Sequence, residues 1–299
     1  MMNIRLPLYA GSFYESSAGT CRHQVLKLLD QAALPPDLPS PLYGGLVPHA
    51  GWVYSGAVAA RTFKALTRGQ APETVVLFGA DHRGTASEGE VFDSGLWETP
   101  LGEAMIDEAV ASAILGAGAA LRANPGAHAH EHSLEVQVPL LQVLAPGAKI
   151  IPIEVPPTAA APEIGRAVGE VLARLFPVAG GKAAPAVRVV GSTDLTHHGG
   201  HFGCTGGHGA AGERWSRKND RRMLDLIEAM DAEAIVAEAA DHENACGAGA
   251  IAATIAACKA LGATRGIVLH YTNSYEVVHA HNPQDPDDTT VGYASVVFA

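Results

Sequence analysis

Continuous apolar runs alternate along the chain with stretches that carry apolar residues at helical spacing. The runs predict buried strands, because strands covered on both faces read as unbroken hydrophobic segments. A last segment, VGYASVVF, has the alternation of a half-buried strand. The other predicted strands are Gly44–Pro48, Thr74–Ala80, Lys149–Val155, Val187–Leu195 and Gly266–Thr272.

Helical patterns separate these strands. Strands that alternate with helices predict an α/β fold, with a central, largely parallel or mixed sheet covered by helices on both faces. The loops at Leu34–Pro41, Ala179–Ala186 and Asn282–Asp288 are too short for interdomain linkers, so we expect one domain over residues 1–299. The predicted helices are Ser55–Arg68, Asp107–Leu115, Ser133–Leu144, Pro162–Leu175, Arg214–Glu228 and Gly247–Leu261.

The composition limits the classes of protein to which the chain can belong. The 299 residues are 47% hydrophobic, and 20 basic against 31 acidic residues give a net charge of −11. This balance disfavours a nucleic-acid binder, and no apolar run approaches the roughly 18 residues that span a bilayer. We see no signal peptide in the first residues. The cysteines lack CxxC spacing, which favours free thiols in a reducing cytoplasm; they are Cys21, Cys204, Cys246 and Cys258.

Polar residues follow three of the predicted strands. His49 comes after the first, Asp81 and His82 after the second, and Asp194 and His197 after the fourth. Ligand sites of open α/β sheets lie beyond the carboxyl ends of the strands. One such histidine is usually structural, but three in glycine-flanked loops favour metal or acid–base chemistry. Asp194 and His197 either share a ligand, or the carboxylate orients the imidazole.

A histidine-rich segment, HAHEHSLEVQVPLLQVL, leads into another helical pattern. His132 is nearest the helix start, and we expect it to lie in a pocket. Two pairs could serve as helix caps, Ser133 with Gln137 or Glu131 with Glu135.

Cys246 directly precedes a helical run of small apolar residues. A helix N-terminus there is expected to lower the pKa of the thiol and favour the thiolate. A thiolate is a nucleophile or a soft metal ligand; the alternative is a small buried residue. The spacing of Gly247, Gly249 and Ala252 imitates a dinucleotide-binding motif, but no strand precedes it.

The stretches AGSFYESS, GGLVPHAGWVYSG, EHSLEVQVPLL, STDLTHHG, ACGAGAI and VGYASVVF, in this order, resemble the Memo protein family. Bacterial and archaeal members are labelled AmmeMemoRadiSam system protein B. The resemblance runs from about residue 8 to the C-terminus. It implies a fold similar to class III extradiol ring-cleaving dioxygenases, which are non-haem Fe(II) enzymes.

Carried over by residue, the resemblance places a mononuclear metal on His49, His82 and Cys246, the cysteine standing where the dioxygenases have glutamate. It makes His197 the acid–base residue, with Asp194 beside it as a further catalytic residue. Fe(II) is the expected metal, with copper or zinc as alternatives suited to thiolate.

With this site we expect Trp52, Tyr54 and His132 to line the substrate pocket. The chain departs from the usual family segment GPSH with GADHRG, so that Asp81 and Arg83 add charges beside the metal.

The expected function is redox or dioxygenase-type chemistry on a small aromatic or related substrate. One alternative is a non-catalytic protein that binds metal or peptide at a relic site. The other is a hydrolase with Cys246 as nucleophile and His197 or His49 as base. The family label further suggests a functional link to a radical SAM protein and an AMMECR-type protein.

Overall fold

The computed structural model describes residues 2–177, 186–203 and 205–299, so Cys204 and most of the loop predicted at Ala179–Ala186 lie outside the described part. The described strands are β1 (Ile4–Arg5), β2 (Gly44–Val47), β3 (Thr74–Ala80), β4 (Gly89–Val91), β5 (Leu96–Thr99), β6 (Gly102–Met105), β7 (Leu121–Ala123), β8 (Lys149–Val155), β9 (Val187–Ser192), β10 (His197–His198), β11 (Gly266–Asn273) and β12 (Thr290–Phe298). The described α-helices are α1 (Ala18–Gln31), α2 (Trp52–Leu66), α3 (Glu108–Leu115), α4 (His132–Glu135), α5 (Val138–Leu144), α6 (Ala161–Leu175), α7 (Ala210–Glu228), α8 (Ile235–His242), α9 (Ala248–Leu261) and α10 (Ser274–His281).

The larger sheet has a parallel centre. Strands β2, β9, β3 and β8 are neighbours in that order and run parallel. Strand β12 pairs antiparallel with β2 on one side, and β4 pairs antiparallel with β8 on the other. Strands β10 and β11 add to β12, and β7 adds to β4, while β1, β5 and β6 form a separate small sheet. The carboxyl ends of β2, β9 and β3 therefore lie side by side.

Both faces of the larger sheet are covered. Along β3, Val76 and Phe78 pack into the core that contains α6 and α9, whereas Val75 and Leu77 pack into the core that contains α1, α2 and α5. This alternation follows from the pleat, which turns successive side chains to opposite faces. The arrangement confirms the predicted α/β class and is compatible with a class III extradiol dioxygenase-like fold. No described helix has the length and apolar character needed to cross a bilayer.

Two of the differences from the predicted element boundaries have a clear local cause. The pattern over Ser133–Leu144 forms two helices, α4 and α5, and Pro139 lies in the first turn of α5. Proline lacks a backbone N–H and therefore favours a helix start over a helix interior. Strand β9 ends at Ser192, earlier than predicted, because Leu195 leaves to form a bridge with Ala245.

The small residues of α9 allow it to lie close to the parallel centre of the larger sheet and to α6. A Cβ on Gly249 would overlap the backbone of Val155, and one on Gly165 of α6 would overlap Ala253. Close packing therefore accounts for the glycine spacing that imitates a dinucleotide-binding motif. It also brings the start of α9, with Cys246, to the ends of the parallel strands.

Candidate metal centre

His49 lies just beyond β2 and is 2% exposed. Its Nδ1 is 3.0 Å from Ser192 Oγ. That hydroxyl donates its own hydrogen to the Ser133 carbonyl at 2.7 Å and also accepts an N–H from Gln137. Ser192 Oγ can therefore only accept from the imidazole, which assigns the proton to Nδ1. The lone pair on Nε2 of His49 faces Cys246 Sγ at 3.2 Å.

His82 follows β3 and is held by a carboxylate. Its Nδ1 lies 3.0 Å from both oxygens of Glu131, and a carboxylate accepts, so Nδ1–H donates. Burial opposes the charged form of His82, but hydrogen bonds with Cys246 and Glu131 outweigh it and raise the pKa to about 10. Burial likewise opposes ionisation of Glu131, yet His82 lowers the pKa of that carboxyl to about 2.

Cys246 precedes Gly247, the N-cap of α9. The Asp194 N–H donates to its sulfur at 3.3 Å. Burial raises the pKa of the thiol above its ordinary value, and the hydrogen bond from His82 opposes this only in part. The expectation that the helix N-terminus lowers the pKa is therefore wrong, because desolvation of the thiolate exceeds the effect of the helix end.

His49, His82 and Cys246 together form a candidate metal centre. One potential ligand atom from each lies within 4.8 Å of the others. Both imidazoles have Nδ1 bonded to an oxygen, which is the usual support for metal-ligating histidines and leaves Nε2 for the metal. Two nitrogens and one sulfur suit iron, copper or zinc. The residues present therefore fit a transition-metal ion.

A second group with the same spacing consists of His82, Glu131 and His132. Its carboxylate is already committed, because Glu131 also accepts the Ser133 N–H at 2.7 Å as the N-cap of α4. Glu131 thus has two roles: it caps α4, and it orients the imidazole of His82. The sequence suggested only the capping role.

Asp194 binds the backbone of one candidate ligand, His49. Its Oδ1 accepts the His49 N–H at 2.8 Å. Burial raises the pKa of the Asp194 carboxyl to about 7, against the hydrogen bond from His49. His197 instead places Nδ1 2.9 Å from the Leu195 carbonyl. The predicted alternative in which the Asp194 carboxylate orients the His197 imidazole is thus not found, because Nδ1 bonds the Leu195 carbonyl instead.

A cavity of about 330 Å³ opens beside the centre. His132, Asp194 and His197 line it, together with Tyr54. The His132 ring stacks on His82 with centroids 4.6 Å apart, so the cavity adjoins the candidate ligands.

Trp52 lies elsewhere. It is 2% exposed, donates its indole N–H to the Val136 carbonyl at 3.0 Å, and borders a separate cleft between α1 and α10. Tyr54 borders both spaces. Trp52 and Tyr54 therefore share the cleft between α1 and α10, but only Tyr54 also reaches the cavity beside the centre.

The two charges that distinguish GADHRG bind loop backbone. Asp81 Oδ2 accepts the Ala86 N–H at 2.8 Å, and Arg83 donates to the Ala127 carbonyl at 2.9 Å. They fasten the loops around His82.

We expect Glu131→Gln to weaken metal binding about 10- to 100-fold, the usual effect of losing a carboxylate behind a histidine ligand. Glutamine keeps the size of the side chain but removes the charge that orients and polarises His82. Competition with a chromophoric zinc chelator measures the affinity. Glu103→Gln, on the exposed side of β6, is the matched control. Equal affinities in both variants would contradict this role.

A buried pair lies near the centre. His128 and Glu154 are 0% and 1% exposed, with Nδ1 and Oε1 3.4 Å apart. Burial raises the pKa of Glu154 to about 8 and lowers the pKa of His128 to about 3. The imidazole Nε2 is 3.0 Å from the Glu90 carbonyl and must donate to it. Nδ1 of His128 and Oε1 of Glu154 form no hydrogen bond with each other or with another described residue, so burial is what keeps the carboxyl protonated.

We expect Glu154→Gln to flatten the dependence of stability on pH. The folded pKa of Glu154 is above its ordinary value of 4.5, so its stabilising contribution is complete below that value and is lost as pH rises through about 8. His128 contributes a dependence only below its ordinary pKa of 6.5. From about pH 6 to about pH 8, the parent should lose roughly 2 kcal/mol more than the variant. Urea unfolding at both pH values measures this, and parallel losses would contradict it.

Comparison with known proteins agrees with the sequence motifs. The family model described as Memo-like protein matches residues 5–297. A MEMO1 family protein of Methanopyrus kandleri is 34% identical, with 98% of each chain covered. MEMO1 family proteins of Pyrococcus abyssi and Nitrosopumilus maritimus are 33% and 29% identical, with 99% of each chain covered.

Proposed function

The chain belongs to the Memo-like protein family, and from that premise we propose that it is a metal-dependent oxidoreductase of the dioxygenase type acting on a small aromatic or related molecule. His49, His82 and Cys246 are the proposed ligands of a single ion. The observation that carries the proposal is the convergence of two imidazole nitrogens and one sulfur within 4.8 Å at the carboxyl end of the parallel strands.

Fe(II) is the proposed metal, because two histidines and one anionic ligand on one side of an ion form the ligand set of non-haem iron oxygenases. When bound, such an ion supplies a Lewis acid and a redox centre. Sulfur is softer than carboxylate, which keeps copper and zinc as alternatives.

His197 is the proposed acid–base residue. The Leu195 carbonyl can only accept, so Nδ1 of His197 carries a proton and Nε2 has a free lone pair. Burial lowers the pKa of His197, which favours a neutral imidazole able to take a proton at Nε2. Asp194 meanwhile fixes the backbone of His49 and donates its own N–H to the Cys246 sulfur.

A cysteine hydrolase is the second candidate. Cys246 Sγ lies 3.2 Å from His49 Nε2, a separation typical of a nucleophile and its base. The raised pKa of the buried thiol weighs against it, because the thiolate is the reactive form. The third candidate is a protein that holds a metal or peptide without turnover.

Metal analysis of anaerobically purified, untagged protein tests the proposal. We expect close to one equivalent of iron, and oxygen uptake with a catechol or aminophenol. No metal, with none taken up on addition of Fe(II), copper or zinc, would overturn it. One equivalent of metal without oxygen uptake across the screen would favour the non-catalytic protein.

Iodoacetamide labelling distinguishes the cysteine hydrolase from a protein in which Cys246 is a metal ligand. If Cys246 is a metal ligand, added zinc should slow its alkylation. Rapid labelling that is unaffected by zinc would support the nucleophile.

A further inference from the structure

The cavity beside the metal centre has the size and walls of a site for a single ring. Its volume of about 330 Å³ is at the lower end for ligand pockets. Four aromatic residues line it, Phe13, Tyr54, Phe202 and Tyr293. Aromatic faces favour both flat rings and cations.

The exposed part of this cavity carries an acidic side chain, Asp287. Asp194 lies in the cavity beside the centre. Among the described residues that line the cavity, none is lysine or arginine. The net charge of −11 adds a negative field around it. A carboxylate placed near Asp287 would therefore meet repulsion, with no lysine or arginine of the described lining to pair with it.

Asp287 is held in place by its own loop. Its Oδ1 accepts the Thr289 N–H at 2.9 Å, and its backbone N–H donates to Asp285 Oδ1 at 3.0 Å. One oxygen is thus bound by the turn, which positions the carboxylate at the cavity without using both of its oxygens.

We propose that this cavity selects a small aromatic ring carrying a positively charged amine and rejects the corresponding carboxylate. The ring lies among the aromatic walls, and the ammonium group lies near Asp287. The inference deepens the proposed function, since it assigns a substrate class to the same centre.

Three phenols of matched size test the charge preference, namely tyramine, 4-ethylphenol and 4-hydroxyphenylacetate. Calorimetric titration should give tyramine an affinity about 2- to 5-fold above 4-ethylphenol, the effect of an exposed ion pair, with 4-hydroxyphenylacetate weakest. Asp287→Asn should bring tyramine down to the affinity of 4-ethylphenol. Asp37→Asn, an equal charge change at an exposed position outside this lining, should keep the ranking.

The inference is overturned if the acid binds as well as the amine, if none of the three binds saturably, or if Asp287→Asn keeps the full preference for tyramine. The titrations are run on metal-free and zinc-loaded protein, with zinc content measured in the same samples. Failure to take up zinc would count against the proposed metal centre alone, because these phenols do not require a metal to report the preference for charge.

Discussion

His49→Ala is expected to abolish stoichiometric metal binding. The change removes Nε2 from the cluster and leaves one imidazole and one sulfur, which is too few protein ligands to hold a transition metal tightly. Loss of a group that only supports a ligand costs about 10- to 100-fold in affinity, so loss of the ligand itself should exceed about 100-fold. Elemental analysis and chelator competition on the purified variant measure the effect.

The matched control is His23→Ala, which removes an exposed imidazole from α1. Because His49 is buried, thermal unfolding of the metal-free proteins must accompany the metal measurement, so that loss of metal is not confused with loss of fold. A folded His49→Ala variant that retains one tightly bound equivalent would refute the ligand assignment.

Arg5→Ala is expected to lower the free energy of unfolding by about 3–5 kcal/mol, the usual cost of removing one partner of a buried ion pair. Arg5 is 4% exposed, and its Nη1 lies 2.7 Å from Glu135 Oε2. The same guanidinium donates to the carbonyls of His128 and Glu131, each at 2.7 Å. Alanine leaves a buried carboxylate without its cation and two carbonyls without their donor.

Urea unfolding at about pH 7 measures this loss, and Arg221→Ala is the control. Arg221 is about half exposed and pairs with Asp225 and Glu228 on the surface of α7. Exposed pairs typically contribute less than about 1 kcal/mol. Similar losses in the two variants would contradict a special role for the buried pair. Arg5→Lys should recover only part of the stability, because lysine lacks the planar fork that donates to Glu135 and to several backbone carbonyls at once.

The parallel strands and their polar ends were predictable from sequence. Buried strands are apolar throughout, so His49, His82 and Asp194 stand out where β2, β3 and β9 end. The order in which strands pair is a tertiary property, and no local pattern places the end of β9 between the other two. Joining Cys246 to the histidines therefore depended on the family resemblance.

Other features of the site could not be predicted from local sequence patterns, because they too depend on contacts between distant segments. Glu131 has the sequence signature of a helix cap, and only the fold brings His82 to its second role. The pKa of the Cys246 thiol is raised because distant segments bury it, and this effect is larger than that of the adjacent helix end. The position of Trp52 follows from where α2 begins, three residues earlier than predicted.

The pairing of β12 with β2 has a consequence for biosynthesis. Strand β2 carries His49 at its end, yet its neighbour β12 is translated after His49, His82 and Cys246. On the ribosome, β2 keeps an unpaired apolar edge through most of synthesis, and such edges promote aggregation. The sheet that aligns His49, His82 and Cys246 is thus completed by the last of its strands to be translated, and the β2 edge stays uncovered until then.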